Sequence, residues 1–394
     1  MRTILHISAD FPDPLAPAKT KAVQNLIGEA EGYRHVVYSL NRVSARGSIA
    51  MMNFGEDRTA IAYGAPPYGL MLERFLVPVG EAIARDIERK GIAPSLIHAH
   101  KFTVDGLVAS VVSDLTGTPF VASLWGDTDS KIVEAKRGMN RRFRKLARQA
   151  ERLLPAAPWT ERYFRKLLGL DAPHFHLLPV MTAGDRLLKP VLTHPQRLVS
   201  VFALDAWRRK GLDRLLEALA IVAHARPDVA LDIYGTGSPK ALMQVTGLVQ
   251  ASEAAPRVRL KGMLPHGDVQ RAMNGYSAFV MAPRRETYGM VHIEALFAGV
   301  PILWSENRGI DGYFDGHDVG ARCDPHSAES IARGILYLLA NERRLKETIA
   351  SLQADGLFEP LRRSGIAENY LKILAAHAGE AHPPLTRVAR QAQG

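Results

Sequence analysis

The chain has one cysteine, Cys323, among 394 residues. A single thiol rules out an intramolecular disulfide and a cysteine-built metal cluster, and it suits a reducing compartment. No apolar run is long enough to cross a bilayer. The opening run Met1–Asp10 has one basic residue and is interrupted by His6 and Asp10. It reads as a first buried strand rather than an export signal. Aromatic residues make up 7% of the chain. No stacking platform of them accompanies the basic stretches, which argues against an RNA-binding module. Glycine is missing at one telling place. Ile233-Tyr-Gly-Thr-Gly-Ser starts like a dinucleotide fingerprint, but Lys240 and Ala241 stand where the third glycine belongs. The motif also does not open the first βαβ unit, so NAD binding is rejected.

What is present is positive charge. The formal net charge is +10 and the isoelectric point is near 9.7, which points to an anionic partner. Nucleic acid, anionic lipid and nucleotide phosphates all qualify on charge alone. With 47% hydrophobic and 23% charged residues, the composition is that of an ordinary globular protein. The length exceeds what one core usually serves, so two domains are expected.

Short apolar β-type runs alternate with helical stretches. Strands are expected at 2–8, 36–40, 96–99 and 120–124, with helices at 21–31, 70–90, 105–115 and 141–154. The pattern then restarts, with strands at 198–203, 230–234, 258–261, 278–281 and 302–304. Helices are expected at 212–225, 240–251, 266–274 and about 290–298. Such alternation predicts an α/β architecture of two Rossmann-like, doubly wound parallel sheets. The first half is taken as residues 1–190 and the second as 191–365, joined around Lys189-Pro190 to His194-Pro195. Further helices follow at 327–339, 345–354 and 369–376. The stretch 366–394 is expected to hold a helix that crosses back to the first half, then a flexible polar tail.

The most informative segment runs from Ala282 to Pro301. A strand ends at Pro283, a turn holds Glu286 and Gly289, and a helix follows that stops at Gly299-Val300-Pro301. Glu286 then sits at a helix N-terminus, where free N–H groups form an anion site. Glu294, with seven residues between it and Glu286, lies about one turn inside the helix. A carboxylate beside an anion site suits a ligand carrying both hydroxyls and phosphate.

This segment resembles the signature of the family-4 glycosyltransferases, retaining enzymes of the GT-B fold. The shared features are a proline, a short polar stretch, two glutamates with seven residues between them, a glycine-containing turn and a Gly-x-Pro end. The resemblance implies two Rossmann-like domains facing across a cleft, a nucleotide-sugar donor of UDP or GDP type, and no cofactor or metal. It implies that Glu286 contacts the donor sugar and Glu294 the ribose hydroxyls. The backbone of Thr287, Tyr288, Gly289 and Met290 would receive sugar hydroxyls and phosphate. A surface helix with two solvated carboxylates is the bland alternative, and it leaves the Gly-x-Pro stop unexplained.

Four further segments extend the resemblance. Trp207-Arg-Arg-Lys-Gly-Leu-Asp matches a Lys-Gly-hydrophobic-Asp run, which makes Lys210 the residue that neutralises the leaving diphosphate. Leu204 and Asp205 stand where the family usually has an arginine, and Arg208 or Arg209 is the candidate replacement. Leu96-Ile-His-Ala-His matches a strand-end His-x-His, which makes His100 the candidate near the donor sugar. A metal held by His98 and His100 is the weaker reading, because no third ligand stands nearby. Ser123-Leu-Trp-Gly-Asp is similar to an acceptor-side segment, with Asp127 either contacting an acceptor hydroxyl or capping a turn. Gly235 would lie next to the nucleotide, and residues 260–263 would flank the base. In the first turn, Phe11–Thr20 replaces the family's paired glycines, leaving Lys19 and Thr20 as phosphate candidates. Met181-Thr-Ala-Gly-Asp replaces the usual junction segment.

From Lys136 to Arg152 the chain is strongly basic with interleaved apolar residues. Such a helix suits an anionic membrane surface; a solvated face packing its apolar residues inward is the alternative. The expected activity is transfer of a hexose-type unit to a glycan or lipid-linked acceptor in polysaccharide or glycoconjugate synthesis. The expected place is the cytoplasm, peripheral on the inner membrane face. A phosphorylase or epimerase of the same architecture, or a decayed anion- or lipid-binding module, is the rival.

Overall fold

The computed structural model describes residues 1–44, 47–193 and 196–379. The expected junction at His194-Pro195 and the polar tail beyond Gly379 lie outside the described residues. The chain divides into two compact units. One comprises 1–156, 161–178 and the part from Ile366 onward; the other comprises 157–160 and 179–365.

The first unit runs β1 (Thr3–Ser8), α1 (Ala22–Gly28), β2 (Arg34–Val43), β3 (Ile49–Gly55), β4 (Arg58–Gly64), α2 (Leu72–Arg89), β5 (Leu96–Ala99), α3 (Val104–Thr116), β6 (Phe120–Leu124), α4 (Gly126–Ala135), α5 (Asn140–Gln149), β7 (Arg152–Pro155) and α6 (Pro158–Leu168). Its seven-stranded sheet has the order β3-β4-β2-β1-β5-β6-β7, and only β3 is antiparallel. The β1, β5 and β6 strands are buried throughout, as expected where helices cover both faces of a parallel sheet. Register sets His6 of β1 directly beside His98 of β5.

Two expectations change here. The β3–β4 hairpin fills a stretch for which the sequence suggested no element, and nearly all of β3 is exposed. Its turn uses Asp57 at a positive φ of 58°, a conformation that Asn and Asp tolerate better than most. The basic helix expected over 141–154 is also two elements. α5 stops at Gln149 and Ala150 is extended. Leu153 and Leu154 then belong to β7, buried beside β6. A short apolar pair does not by itself distinguish helix from strand.

The second unit runs β8 (Arg197–Val201), α7 (Leu212–Ala225), β9 (Ala230–Tyr234), α8 (Pro239–Gln250), β10 (Val258–Gly262), α9 (Val269–Asn274), β11 (Ala278–Val280), α10 (Met290–Phe297), β12 (Ile302–Ser305), β13 (Gly320–Cys323), α11 (Ala328–Ala340) and α12 (Glu342–Ala354), and α13 (Arg363–His377) closes the described chain. Its six-stranded sheet has the order β10-β9-β8-β11-β12-β13, and every pairing is parallel. Each loop leaving the carboxyl end of β8 or β11 opens where ligands bind in such sheets. The lone thiol of Cys323 is buried at the end of β13 and donates to the Trp304 carbonyl at 3.3 Å. Burial, with Asp324 and Glu306 near it, pushes its pKa up to about 12.

Candidate functional site

The site in the second unit is built by two loops that touch. After β8 the chain makes a short turn and reaches Lys210-Gly211. Gly211 takes φ +75° as the residue before α7. A Cβ there would lie 2.2 Å from the Ala282 carbonyl oxygen, so only glycine lets the two backbones come this close. The loops are also bonded directly. The Arg284 N–H donates to the Arg209 carbonyl at 3.0 Å, and the Arg284 guanidinium pairs with Asp213 at 2.6 Å.

That contact delivers Lys210 to Glu286. The ammonium donates to Glu286 Oε2 in an ion pair whose side chains are 13% and 10% exposed. Burial alone would raise the Glu286 pKa, but the attraction and hydrogen bond of Lys210 outweigh it and hold the carboxyl below its ordinary value. Arg209, exposed itself, contributes smaller attraction in the same direction. Arg208 instead lays its guanidinium 4.8 Å from the Trp207 ring.

The turn after Glu286 is tightly packed. The Thr287 N–H donates to Glu286 Oε1 at 3.2 Å, and the Thr287 carbonyl accepts from Trp159 Nε1 at 3.1 Å. Tyr288 is buried edge-on to Tyr313, and its hydroxyl has no hydrogen-bond partner among the described residues. Gly289, at φ +78°, opens α10, and Met290 follows it with 42% of its surface exposed. The N–H groups of the first two residues of α10, Met290 and Val291, have no intrahelical acceptor, while the His292 N–H donates to the Gly289 carbonyl at 2.9 Å. One turn in, Glu294 Oε1 accepts from the Ala183 and Gly184 N–H groups at 3.2 and 3.3 Å.

The structure thus brings Lys210, Arg209, Glu286, the 287–290 backbone and Glu294 into one region of the second unit. Gly235 is glycine for a local reason: a Cβ would sit 1.9 Å from the Phe202 carbonyl, and its own N–H is taken by the Gly262 carbonyl at 2.8 Å. Asp205, where the family's arginine would be expected, caps the same turn by accepting from the Ser238 N–H and hydroxyl at 2.9 and 2.6 Å.

His100 lies in the first unit, just past β5, and is 2% exposed. Its Nε2 is 3.0 Å from His6 Nδ1, and His6 Nε2 is 2.8 Å from His35 Nδ1. His98 is bonded on both sides, to the Tyr370 hydroxyl at 2.8 Å and the Ser123 hydroxyl at 2.9 Å. The third histidine that the sequence reading of a metal site lacked is His6, and ring nitrogens of His6, His98 and His100 lie within 4.8 Å of one another. A metal must lie near each ring plane, yet the His98 and His100 rings face each other at 3.9 Å. With both nitrogens of His98 engaged by hydroxyls, the donor set fits hydrogen bonding better than metal coordination.

Several residues of the candidate site were not singled out from sequence. His292, within the Glu286–Glu294 motif, is buried; burial outweighs the pull of Glu286 and holds its pKa at about 4. Its Nε2 faces the Met281 carbonyl at 3.3 Å, and its Nδ1 has no hydrogen-bond partner among the described residues. Gly309 packs on the Glu286 side chain and donates to the Glu286 carbonyl at 3.3 Å. Lys19, a phosphate candidate by sequence, is committed to Asp13, the Ser39 hydroxyl and the Leu40 carbonyl at 2.9, 2.9 and 3.1 Å. Asp127 lies in the first turn of α4, and it is Asp129 that caps there, accepting from the Trp125 N–H at 2.8 Å.

Two α/β units, each built on a sheet that is wholly or mainly parallel, with a Glu-x7-Glu strand–turn–helix in the second, make up the GT-B fold. Residues 189–352, which lie within the second unit, match the family model described as glycosyl transferases group 1. A Bacillus subtilis protein named for teichuronic acid biosynthesis, the glycosyltransferase TuaC, is 24% identical over 268 residues, covering 65% of this chain and 64% of that one. The matched stretches span less than two thirds of the curated relatives. Among solved structures, sucrose-phosphate synthase of Thermosynechococcus elongatus aligns with a TM-score of 0.70 at 20% identity, covering 95% of this chain and all of that one. Anabaena HepE, solved in complex with UDP, aligns with a TM-score of 0.66 at 15% identity, again over 95% of this chain and all of that one.

Proposed function

We propose that the protein transfers a hexose-type unit from a nucleotide-sugar to a glycan or lipid-linked acceptor, with retention of anomeric configuration. The observation that carries this reading is the buried Lys210–Glu286 pair at the opening of α10. In the resting protein each charge satisfies the other. An arriving diphosphate offers Lys210 a stronger partner and frees Glu286 to accept from sugar hydroxyls. Lys210 and the α10 N-terminus then stabilise the negative charge that grows on the leaving diphosphate. Glu294 accepts from ribose hydroxyls. The bond from the anomeric carbon to the phosphate oxygen breaks, the acceptor oxygen bonds that carbon on the same face, and its proton passes to the departing phosphate oxygen. This route needs neither a carboxylate base nor a metal. The UDP complex of HepE supports a uridine nucleotide.

A lipid-linked acceptor favours work at an anionic membrane surface, on the cytoplasmic side. No helix among the described residues is long and apolar enough to cross a membrane. The apolar residues of α5, Phe143 and Leu146, pack in the core while Arg141, Arg144, Lys145 and Arg148 are exposed. Close by, Tyr68, Leu70 and Met71 are 95%, 60% and 52% exposed, and a Cβ on Gly69 between them would lie 3.7 Å from Lys136 Cε. Apolar tips beside basic charge supply the two signals that surface attachment needs.

Calorimetry with UDP and GDP tests the donor reading. Binding of one nucleotide is expected, and none at millimolar concentration sinks it. Glucose transfer that requires inorganic phosphate would favour a phosphorylase instead.

A further inference from the structure

The ring contacts of His35, His6 and His100 form a line with a defined direction. At one end His35 Nε2 lies 2.7 Å from the Ala30 carbonyl. A carbonyl only accepts, so His35 carries its proton on Nε2. In a neutral ring that leaves Nδ1 bare, and Nδ1 must accept from His6 Nε2 at 2.8 Å. His6 then has a bare Nδ1, which must accept from His100 Nε2 at 3.0 Å. The one side-chain hydrogen bond of His100 among the described residues is made by Nε2, which leaves Nδ1 without one there.

We propose that His35 and His6 are positioning residues that lock His100 in its Nε2–H tautomer, so that His100 Nδ1 offers a lone pair to a ligand hydroxyl. The Ala30 carbonyl sets the direction and two rings transmit it along β2, β1 and β5. The lock also excludes a ligand class. A bare ring nitrogen repels a phosphate oxygen, which is likewise only an acceptor, and it welcomes a sugar hydroxyl, which can donate. Adding one proton anywhere in the line reverses this. Whichever of the three rings holds the extra proton, His100 Nδ1 becomes N–H. Burial opposes that charge, since it pushes the pKa of His6, His35 and His100 below the ordinary histidine value. His98 faces His6 and His100 from β5, is itself held at about 3 by burial, and is bonded to Tyr370 of α13 and Ser123 of β6. Tyr33 stands against His35.

The assignment of a sugar hydroxyl as the ligand rests on the donor reading above; the tautomer does not. Histidine-labelled protein near neutral pH, observed by long-range 1H–15N correlation, reads the tautomers directly. His35, His6 and His100 should each show protonated Nε2 and bare Nδ1. A His100 protonated on Nδ1, or averaged between forms, overturns the proposal. Two variants of His35 test the direction of control. His35→Gln keeps a donor for Ala30 and an acceptor for His6, and should preserve the His100 tautomer. His35→Leu removes both and should leave His100 a mixture; an unchanged single tautomer would refute control by His35. Calorimetry then separates the two readings. His35→Leu should bind UDP-glucose about two- to fivefold more weakly, because only a fraction of the His100 rings then keeps Nδ1 bare, and UDP as well as wild type does. Equal weakening of both would refute the hydroxyl assignment. No UDP binding by wild type would remove the donor reading and leave the tautomer result standing.

Discussion

Gly211 faces the carbonyl of Ala282 so closely that a methyl group between them would stand 2.2 Å from the oxygen. Lys210 precedes that glycine, and Glu286 follows that carbonyl by four residues. The tight approach of the two loops is what lets the pair form. Gly211→Ala combines a left-handed backbone penalty of roughly 1–2 kcal/mol with a backbone clash. Unfolding in denaturant should show a loss of at least about 2 kcal/mol, and UDP binding should weaken as Lys210 is displaced. Unchanged stability would mean that the loops do not touch in solution.

The ion pair itself calls for a double-mutant cycle. Lys210→Met leaves Glu286 buried without its cation, at a cost of about 3–5 kcal/mol for a broken buried pair. Glu286→Gln removes the charge from the other side. The double variant should recover part of the loss, giving an interaction energy above about 1 kcal/mol in thermal or denaturant unfolding. Additive losses would show the two side chains to be independent. In Lys210→Met the Glu286 carboxyl should also titrate upward, since burial then acts unopposed; carboxyl NMR measures the direction.

Glu294 serves the fold before any ligand arrives. Removing its carboxylate in Glu294→Ala orphans the Ala183 and Gly184 N–H groups. Hydrogen exchange at these two amides should quicken by about tenfold, in line with one hydrogen bond of about 1.4 kcal/mol to a charged group. If the carboxylate also meets the ribose, UDP affinity falls in the same variant. Unchanged affinity refutes the ribose contact without touching the exchange result.

Acid should destabilise the protein well above the carboxylate range. His6, His35, His98, His100 and His292 all have folded pKa values below the ordinary 6.5, burial being the largest cause in each. As pH falls through 6.5, the unfolded chain takes up protons that the folded chain refuses, and stability drops with it. At pH 5.5 the loss is about 1.4 kcal/mol for each histidine whose folded pKa lies well below that value. Buried Asp105 and Asp129 are raised, burial again leading, so they work the other way. A Tm lower at pH 5.5 than at 7.5 is expected, with a steeper fall in Asp105→Asn. A flat profile would mean that these histidines are not buried neutral.

Vesicle sedimentation examines the basic face. The protein should pellet with anionic vesicles and stay in solution with neutral ones. Changing Arg141, Arg144, Lys145 and Arg148 to Gln removes about 1 kcal/mol of attraction per residue and should abolish pelleting with little change in Tm, since all four are exposed. Equal pelleting with both vesicle types dismisses electrostatic docking.

The Glu286 motif was legible because its signals are local: a strand end, a turn glycine, a helix and a Gly-x-Pro stop within twenty residues. Lys210 was legible through the resemblance of its Lys-Gly-Leu-Asp run to the family pattern. Partners set by tertiary structure were not. Ala183 and Gly184 stand some 110 positions before the carboxylate they hold. His6 meets His35 and His98 only because β2 and β5 flank β1 in the sheet, a relation that no spacing along the chain encodes. The β3–β4 hairpin escaped for the opposite reason. Its outer strand is exposed on nearly every residue, so it leaves no alternating apolar pattern to read.

Cys323 offers a practical route into the donor region. Its thiol is sealed beneath β13 and, with a pKa near 12, forms almost no thiolate at neutral pH. A thiol reagent should therefore pass it by, and the natural chain serves as its own silent background. A cysteine introduced at Met290, exposed at the mouth of α10, would then be the one reactive handle. A dye placed there reports nucleotide arrival without any need to remove the native sulfur.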